Sequence, residues 1–408
     1  MPNVRARADA CPGALRTHDA ADGPLARVRV PGGAVTSAQL RVLGAAAREL
    51  GGDVIELTSR GNLQLRGVRD PGRLAGRLEA AGLLPSPSHE RVRNIVASPL
   101  GGRGVHGTLA TDPLVTALDL ALCANARLAG LPGRFLFALD DGTGDVAALG
   151  ADLTCTPAGL RLADSPLLLG VPAGDRPSMD GAGAGVSAGV SAGAIDLLVA
   201  AAEAFLDVRG DAWRLAEVPD GPRLVAERLT ERFGAELGEI RELPEPRRPY
   251  AGAIPQRGGL TALEAVPPLG RMSGAQAGAL AEAADDVRVT PWRSVVVRDL
   301  GSDSVGRVAE ELGAAGFAVD AASPWVGVSA CTGSPGCAKS RGDVQGEARR
   351  WVGGLECAPA TPVHWAGCER KCGTPRGPVV LKTVGAETVG AETVGVETAG
   401  AETAEGQR

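Results

Sequence analysis

Apolar and polar residues alternate in LARVRV (25–30) and in LTALEAV (260–266), the period-two pattern of a strand with one buried face. Each run leads to a serine, Ser37 or Ser273, that opens an amphipathic stretch read as a capped helix. Two short strands follow, then an alanine-rich helix that runs out near Gly82 in one copy and Gly316 in the other. DVIELTSR (53–60) matches DVRVTPWR (286–293), and LAGRLEAAGL (74–83) matches VAEELGAAGF (308–317), at offsets of 233 and 234 residues. Asp53 and Arg60 therefore share their spacing with Asp286 and Arg293. The pattern predicts two βαββα units made by duplication, and a pseudo-twofold molecule.

Between the copies, the pattern predicts a helix over 114–128 and an apolar strand over 135–139. GAGAGVSAGVSAG (181–193) is low-complexity sequence read as a flexible insertion, and from Thr383 a TVGAE pentad array without aromatic residues predicts a disordered tail. The fold class expected is α+β, with duplicated half-domains over 11–88 and 241–322. An α/β region over 89–240, a cysteine-bearing region over 323–382 and the tail over 383–408 complete the division.

Composition narrows the function classes. Apolar residues make up 44% of the 408 and charged residues 22%, a globular balance. The net charge is -6, and the last 26 residues alone hold five Glu against one Arg. The body is close to neutral, so no bulk charge favours a nucleic-acid partner. No segment approaches the ~20 apolar residues that span a bilayer, and the N-terminus carries no apolar leader, so the expectation is a cytoplasmic protein without a membrane partner. Only Lys339, Lys371 and Lys382 are lysine among 42 basic residues, which makes arginine as such weak evidence.

The chemistry sits in the cysteines. Four of the eight fall in CTGSPGC (331–337) and CERKC (368–372), giving Cys331, Cys337, Cys368 and Cys372. Thiolates are soft ligands, and four can hold the corners of a 4Fe-4S cube. Structural zinc sites pair cysteines two to four residues apart, and the first pair here is wider, with Gly333, Pro335 and Gly336 between, so the spacing favours iron-sulfur over zinc. Cys11, Cys123, Cys155 and Cys357 are scattered and read as small core residues. None of His18, His89, His106 and His364 stands at the spacing of a two-His, one-carboxylate iron site; His364 is best placed. A mononuclear non-haem iron remains the second metal to look for. GTGDVA (142–147) is too weak a dinucleotide signal to support a nicotinamide site, so electrons are expected from a partner protein.

The C-x5-C and C-x3-C pairs resemble the cluster motif of the nitrite and sulfite reductase haemoprotein superfamily, and the βαββα units resemble its ferredoxin-like half-domains. The resemblance covers nearly all of residues 11–382. It implies that the last cysteine, Cys372, bridges the cluster to sirohaem iron where sirohaem is present. TSRGNLQLRG (58–67) and RNIVASP (93–99) resemble the two arginine segments that face the tetrapyrrole, which implies ligand-binding roles for Arg60 and Arg93, with Asn62, Gln64 and Asn94 as neutral hydrogen-bonding neighbours. Within the superfamily, ACPGAL (10–15), DGPLARVRVPGG (22–33), LPGRFLFALDDG (131–142) and VTPWR (289–293) most resemble the precorrin-3B synthase family. Sulfite reductases carry two lysines where this chain has Arg134 and Leu136, and arginine is a poor proton donor.

The resemblance implies precorrin-3A and O2 as substrates, an electron-donor protein as partner, and Arg60, Arg93, Arg134 and Arg293 as forks for the eight carboxylates of the tetrapyrrole. Its activity would be hydroxylation with lactone formation in aerobic cobalamin biosynthesis; the catalytic residue stays unassigned. Two alternatives remain: an assimilatory nitrite or sulfite reductase with sirohaem, and an iron-sulfur electron-transfer protein.

Overall fold

The structure is a computed structural model and describes residues 11–170, 188–239, 245, 250–385 and 391–394. These form four sheets. The first has strand order His18–Ala20, Gly23–Val28, Leu63–Leu65, Ile55–Leu57 and Arg271–Met272. The second runs Gly252–Pro255, Thr261–Ala265, Val295–Leu300, Asp286–Val289 and Ala34–Thr36. Each half thus lends the other its edge strand: Arg271–Met272 pairs with Ile55–Leu57, and Ala34–Thr36 with Asp286–Val289. The α+β class and the duplicated half-domains are as the pattern predicts.

Alternation decides the faces. Ala26, Val28, Leu63 and Leu65 join one core shared by both halves, while Arg27 and Gln64 stand on the opposite face. Helices Ser37–Leu50 and Gly274–Ala283 seal that core, each opened by a capping box. The first cap is Thr36, one residue before the predicted Ser37, because its hydroxyl accepts the Gln39 N–H. The helices cross at two glycines: a Cβ on Gly274 would run into the Gly44 carbonyl, and one on Gly44 would lie 2.8 Å from the Gly274 oxygen. An aspartate from each half meets the other half's helix at its first residue. Asp53 accepts the Gly274 N–H at 2.7 Å, and Asp285 accepts the Ser37 hydroxyl at 3.1 Å.

That reciprocity corrects the repeat register. Leu57 pairs with Leu63 as Val289 pairs with Val295, an offset of 232 residues. Asp53 therefore corresponds to Asp285, not Asp286, and Arg60 to Trp292, not Arg293. The sequence match slid by one because two aspartates stand side by side and the hairpin turns differ in side chains.

The third sheet is mixed, ordered Leu237–Glu239, Leu167–Leu169, Gly159–Leu162, Leu153–Thr156, Phe137–Leu139 and Ile95–Ala97. Helices Thr111–Ala124, Ala188–Val208 and Gly221–Phe233 contribute to its core around Phe135, Phe137 and Phe205. The predicted helix over 114–128 ends earlier, followed by a 3-10 turn at Ala126–Gly130. Residues 188–193, assigned above to the flexible insertion, begin the helix Ala188–Val208, whose following alanine- and leucine-rich turns carry the helix propensity. The rest of the insertion, 181–187, lies outside the described residues.

The fourth sheet sets Val328–Ala330, Val363–Ala366 and Val379–Thr383 in parallel and adds Ala391–Val394 antiparallel. Thr383 and residues 391–394 are thus paired strand, not disordered tail. The open edge at Val379–Thr383 offers residues 391–394 backbone partners. Residues 386–390 and 395–408 lie outside the described residues. No helix among the described residues is long and apolar enough to cross a membrane.

Candidate functional site

The two cysteine loops leave the same ends of neighbouring parallel strands. Cys331 follows Val328–Ala330, Cys368 and Cys372 follow Val363–Ala366, and the register Ala330 to Trp365 places the loops side by side. Cys331 donates its N–H to the Trp365 carbonyl at 2.9 Å. Gly367 donates to the Cys331 sulfur at 3.3 Å, and the Gly333 N–H also favours that thiolate. Burial pushes the Cys331 thiol up, against those N–H groups, and Cys372 and Cys337 push it further. Burial likewise raises Cys372, with Cys368 and Cys337 adding to it. Cys372 thus lies within electrostatic reach of the other three thiols, and together they favour a cationic occupant.

The described geometry suits a cluster better than one ion. In a tetrahedral zinc site with Zn–S near 2.3 Å the sulfurs stand ~3.8 Å apart. No three of these four sulfurs lie within 4.8 Å of one another. That spread is wider than one zinc ion takes, and four thiolates with backbone N–H groups of the glycine-rich loops directed at sulfur are the donors a 4Fe-4S cluster would need.

Each half-domain grips one loop. Arg66 donates to the Gly336 carbonyl, beside Cys337, at 2.7 Å and forms a bidentate pair with Asp22 at 2.8 Å. Thr332, next to Cys331, donates to Glu56 at 3.3 Å. From the second half, Arg293 donates to the Gly373 carbonyl, beside Cys372, at 2.6 Å. Buried His364 spans Ser329, at 2.9 Å from Nδ1, and the Cys372 carbonyl, at 3.2 Å from Nε2. Burial and the nearby Arg293 charge lower the His364 pKa to about 3, so its ring is neutral. Sequence reasoning missed Arg66, although its place opposite the buried Leu65 signals the polar face.

The remaining candidates divide by what they touch. Arg60 donates to the Gly133 carbonyl at 3.3 Å and has no carboxylate at ion-pair distance among the described residues; burial, then Arg214, bring its pKa down to about 10. Arg93 is buried and committed to Asp119 through two bonds of 2.6 Å. Arg134 is exposed and lies 5.0 Å over the Trp213 ring. Asn62 and Asn94 bond each other at 3.2 Å, Asn62 accepts from Val30, and Asn94 donates to Gly133 and Phe135. They join the first half-domain to the third sheet. Gln64 accepts from Arg27 and donates to Glu56. The structure thus brings Arg60, Asn62 and Asn94 together around Gly133, leaves Arg93 locked in a pair, and sends Arg293 to the cysteines.

Arg29 is a further candidate on the same polar face. It is only 2% exposed, and its Nε and Nη1 have no acceptor among the described residues. Nη2 donates to the Pro12 and Arg91 carbonyls. Burial drives its pKa well down, and the Arg27 and Arg60 charges add to this. A buried guanidinium beside two others, only partly offset by Glu90, makes the face attractive to an anionic ligand. Its signal in the sequence was LARVRV, where Arg27 and Arg29 alternate with core residues.

Among the described residues no two histidines share a metal-sized space with a carboxylate. The close acidic group is Asp140, Asp141 and Asp145. Asp140 already accepts four backbone N–H groups from the 142–147 loop, which accounts for the GTGDVA motif structurally. A cavity of about 350 Å³ lies beside it, and none of the four clustered cysteines lines it. Of the scattered cysteines only Cys155 is buried; Cys357 is exposed, not core, because it sits in the turn after the helix Val344–Val352.

A duplicated α+β frame gripping a four-cysteine site from both halves defines a two-half metal-binding class, and comparison finds the same frame in known proteins. The nitrite/sulfite reductase ferredoxin-like half domain matches residues 18–71 and 254–315. The chain is 28% identical over 385 residues to ferredoxin–nitrite reductase of Synechococcus elongatus, covering 86% of this chain and 74% of that protein. It is also 28% identical over 402 residues to precorrin-3B synthase of Sinorhizobium sp., covering 93% and 81%. The solved NirA protein of Mycobacterium tuberculosis shares the fold, with a TM-score of 0.68 at 20% identity over 91% of this chain and 73% of that one. The chain thus carries two regions that match the nitrite/sulfite reductase ferredoxin-like half domain, and along most of its length it is similar to a nitrite reductase and to a precorrin-3B synthase.

Proposed function

We propose that the chain acts as a precorrin-3B synthase, hydroxylating precorrin-3A at meso carbon C20 with lactone formation from the ring A acetate. The observation that carries this reading is the segment 134–136. A six-electron anion reduction needs proton donors there, and the resembling sulfite reductases carry two lysines. Here Leu136 is 3% exposed and packs with Val96 and Ala138, while Arg134 stacks on Trp213. A guanidinium with its pKa above ~12 holds its proton. Similarity to the Sinorhizobium synthase over 93% of the chain agrees with this.

Cys331, Cys337, Cys368 and Cys372 would hold a 4Fe-4S cluster, which supplies single electrons when bound. Arg60, with Arg27 and Arg29 behind it, faces carboxylates of the tetrapyrrole, and Asn62 and Asn94 hold the Gly133 turn in place beneath them. One oxygen atom of O2 enters the product and the other leaves as water, with two electrons from a donor protein. The names of several relatives include ferredoxin, so a ferredoxin is the donor class to try first.

The competing reading is a sirohaem nitrite reductase, favoured by equal identity to the Synechococcus elongatus enzyme. Incubation of anaerobically purified, reduced protein with precorrin-3A and labelled O2, read by mass spectrometry, separates the two. Gain of one labelled oxygen supports the synthase. Sirohaem absorption with nitrite consumption and no change in precorrin-3A overturns it. A reduced cluster with neither activity indicates an electron carrier.

A further inference from the structure

Arg293 adopts φ 63°, in the left-handed region that side chains seldom enter. Its counterpart in the first half, Gly61, has φ 62° and pays nothing for it. Such a conformation persists where the surroundings over-determine it, and it marks functional sites more often than chance. The surroundings are specific here. The Arg293 side chain passes between two glycines with positive φ, Gly270 and Gly373. A Cβ on Gly270 would lie 2.6 Å from Arg293 Cδ, and one on Gly373 would lie 2.8 Å from Nη2. The fork ends on the Gly373 carbonyl at 2.6 Å, one residue past Cys372.

Arg66 makes the matching grip on the other loop, but its charge is answered by Asp22 at 2.8 Å and by Glu56 at 3.7 Å. Arg293 has no carboxylate at ion-pair distance among the described residues, and Glu56 acts on it only from beyond that distance, so much of its positive charge is left to act on whatever binds beside it.

We propose that Arg293 is a positioning residue for the second cysteine loop and that its charge, held in no ion pair among the described residues, raises the reduction potential of the cluster held there. The proposal rests on the cluster reading above. Reduction adds one electron, and so one negative charge, to the cluster; a fixed cation nearby stabilises the reduced form. Arg66 holds the first loop without this effect.

The test is a redox titration of the iron-loaded, full-length protein with dithionite and mediators, followed by absorption and electron paramagnetic resonance. Arg293→Met should shift the one-electron reduction equilibrium at least tenfold toward the oxidised form, about 59 mV. Arg293→Lys should stay closer to the parent. Arg66→Met should lower iron occupancy more than it changes the potential of the loaded fraction. Should Arg293→Met fold poorly, Arg293→Gly, which suits the backbone angle, carries the same expectation. A loaded Met or Gly variant within twofold of the parent equilibrium overturns the role of Arg293 and leaves the cluster reading standing. A parent protein that takes up no iron and sulfide overturns both.

Discussion

Gly61 and Arg293 occupy the same position of equivalent hairpins, with φ of 62° and 63°. The turns share their bonds: Thr58 N–H reaches the Asn62 carbonyl at 2.9 Å, and Thr290 N–H reaches Ser294 at 3.0 Å. Glycine serves the first half, and arginine serves the second at a conformational cost of ~1–2 kcal/mol. Gly61→Ala should therefore lower stability by ~1–2 kcal/mol, more if its Cβ, 3.2 Å from the Val289 oxygen, forces that strand away. Urea unfolding followed by circular dichroism reads this, and an unchanged midpoint would contradict the equivalence.

Asp53 and Asp285 each secure the first residue of the partner half's helix. Asp53→Ala and Asp285→Ala should each cost ~0.5–2 kcal/mol, the range of a lost helix-terminal bond. Asp286→Ala disturbs a different contact, with Arg288 and Arg298, so it should leave the Ser37 helix start unprotected only if the register above is wrong. A double-mutant cycle with Ser37→Ala, read by urea unfolding, discriminates: the Ser37 hydroxyl should couple to Asp285→Ala and be additive with Asp286→Ala.

The arginine candidates should separate by assay. Arg93→Ala strands Asp119 and should destabilise the protein by ~3 kcal/mol. Arg60→Ala breaks no ion pair and should instead weaken tetrapyrrole binding about ten- to a hundredfold, the worth of one charge-assisted contact. Calorimetry with the tetrapyrrole and thermal melting of both variants check this; equal affinity loss in both would argue for equivalent roles.

Burial pushes the Cys155 thiol up to about 12. The folded pKa exceeds the unfolded one, so the protonated thiol contributes stability that is complete below ~8.5 and is lost as pH rises toward about 12. Cys155→Ala should flatten that decline. In the native protein iodoacetamide should modify exposed Cys357 and spare Cys155; peptide mapping that finds Cys155 alkylated before unfolding would contradict its burial.

Periodicity made the duplicated units legible because each strand exposes one polar face, and the cysteine spacing singled out two segments that the structure sets side by side. What stayed hidden depends on contacts between distant segments. Nothing local distinguishes Asp285 from Asp286; only strand exchange between the halves does. Arg93 sits in the expected segment, yet Asp119 on a separate helix takes its charge. Arg293 was expected to face the tetrapyrrole through its spacing from Asp286, whereas its backbone angle and the two glycines along its side chain turn it to Cys372. The pentads of the tail looked unable to fold alone, and residues 391–394 pair only because an open edge is present.

The central claim is that Cys331, Cys337, Cys368 and Cys372 hold one 4Fe-4S cluster where the two half-domains meet. Iron and acid-labile sulfide analysis of anaerobically purified protein, together with the four single Cys→Ser variants, tests it most directly. The expected result is about four irons and four sulfides per chain, lost or sharply reduced in every variant. Stoichiometric zinc without acid-labile sulfide, in protein made under iron-replete conditions, would contradict it.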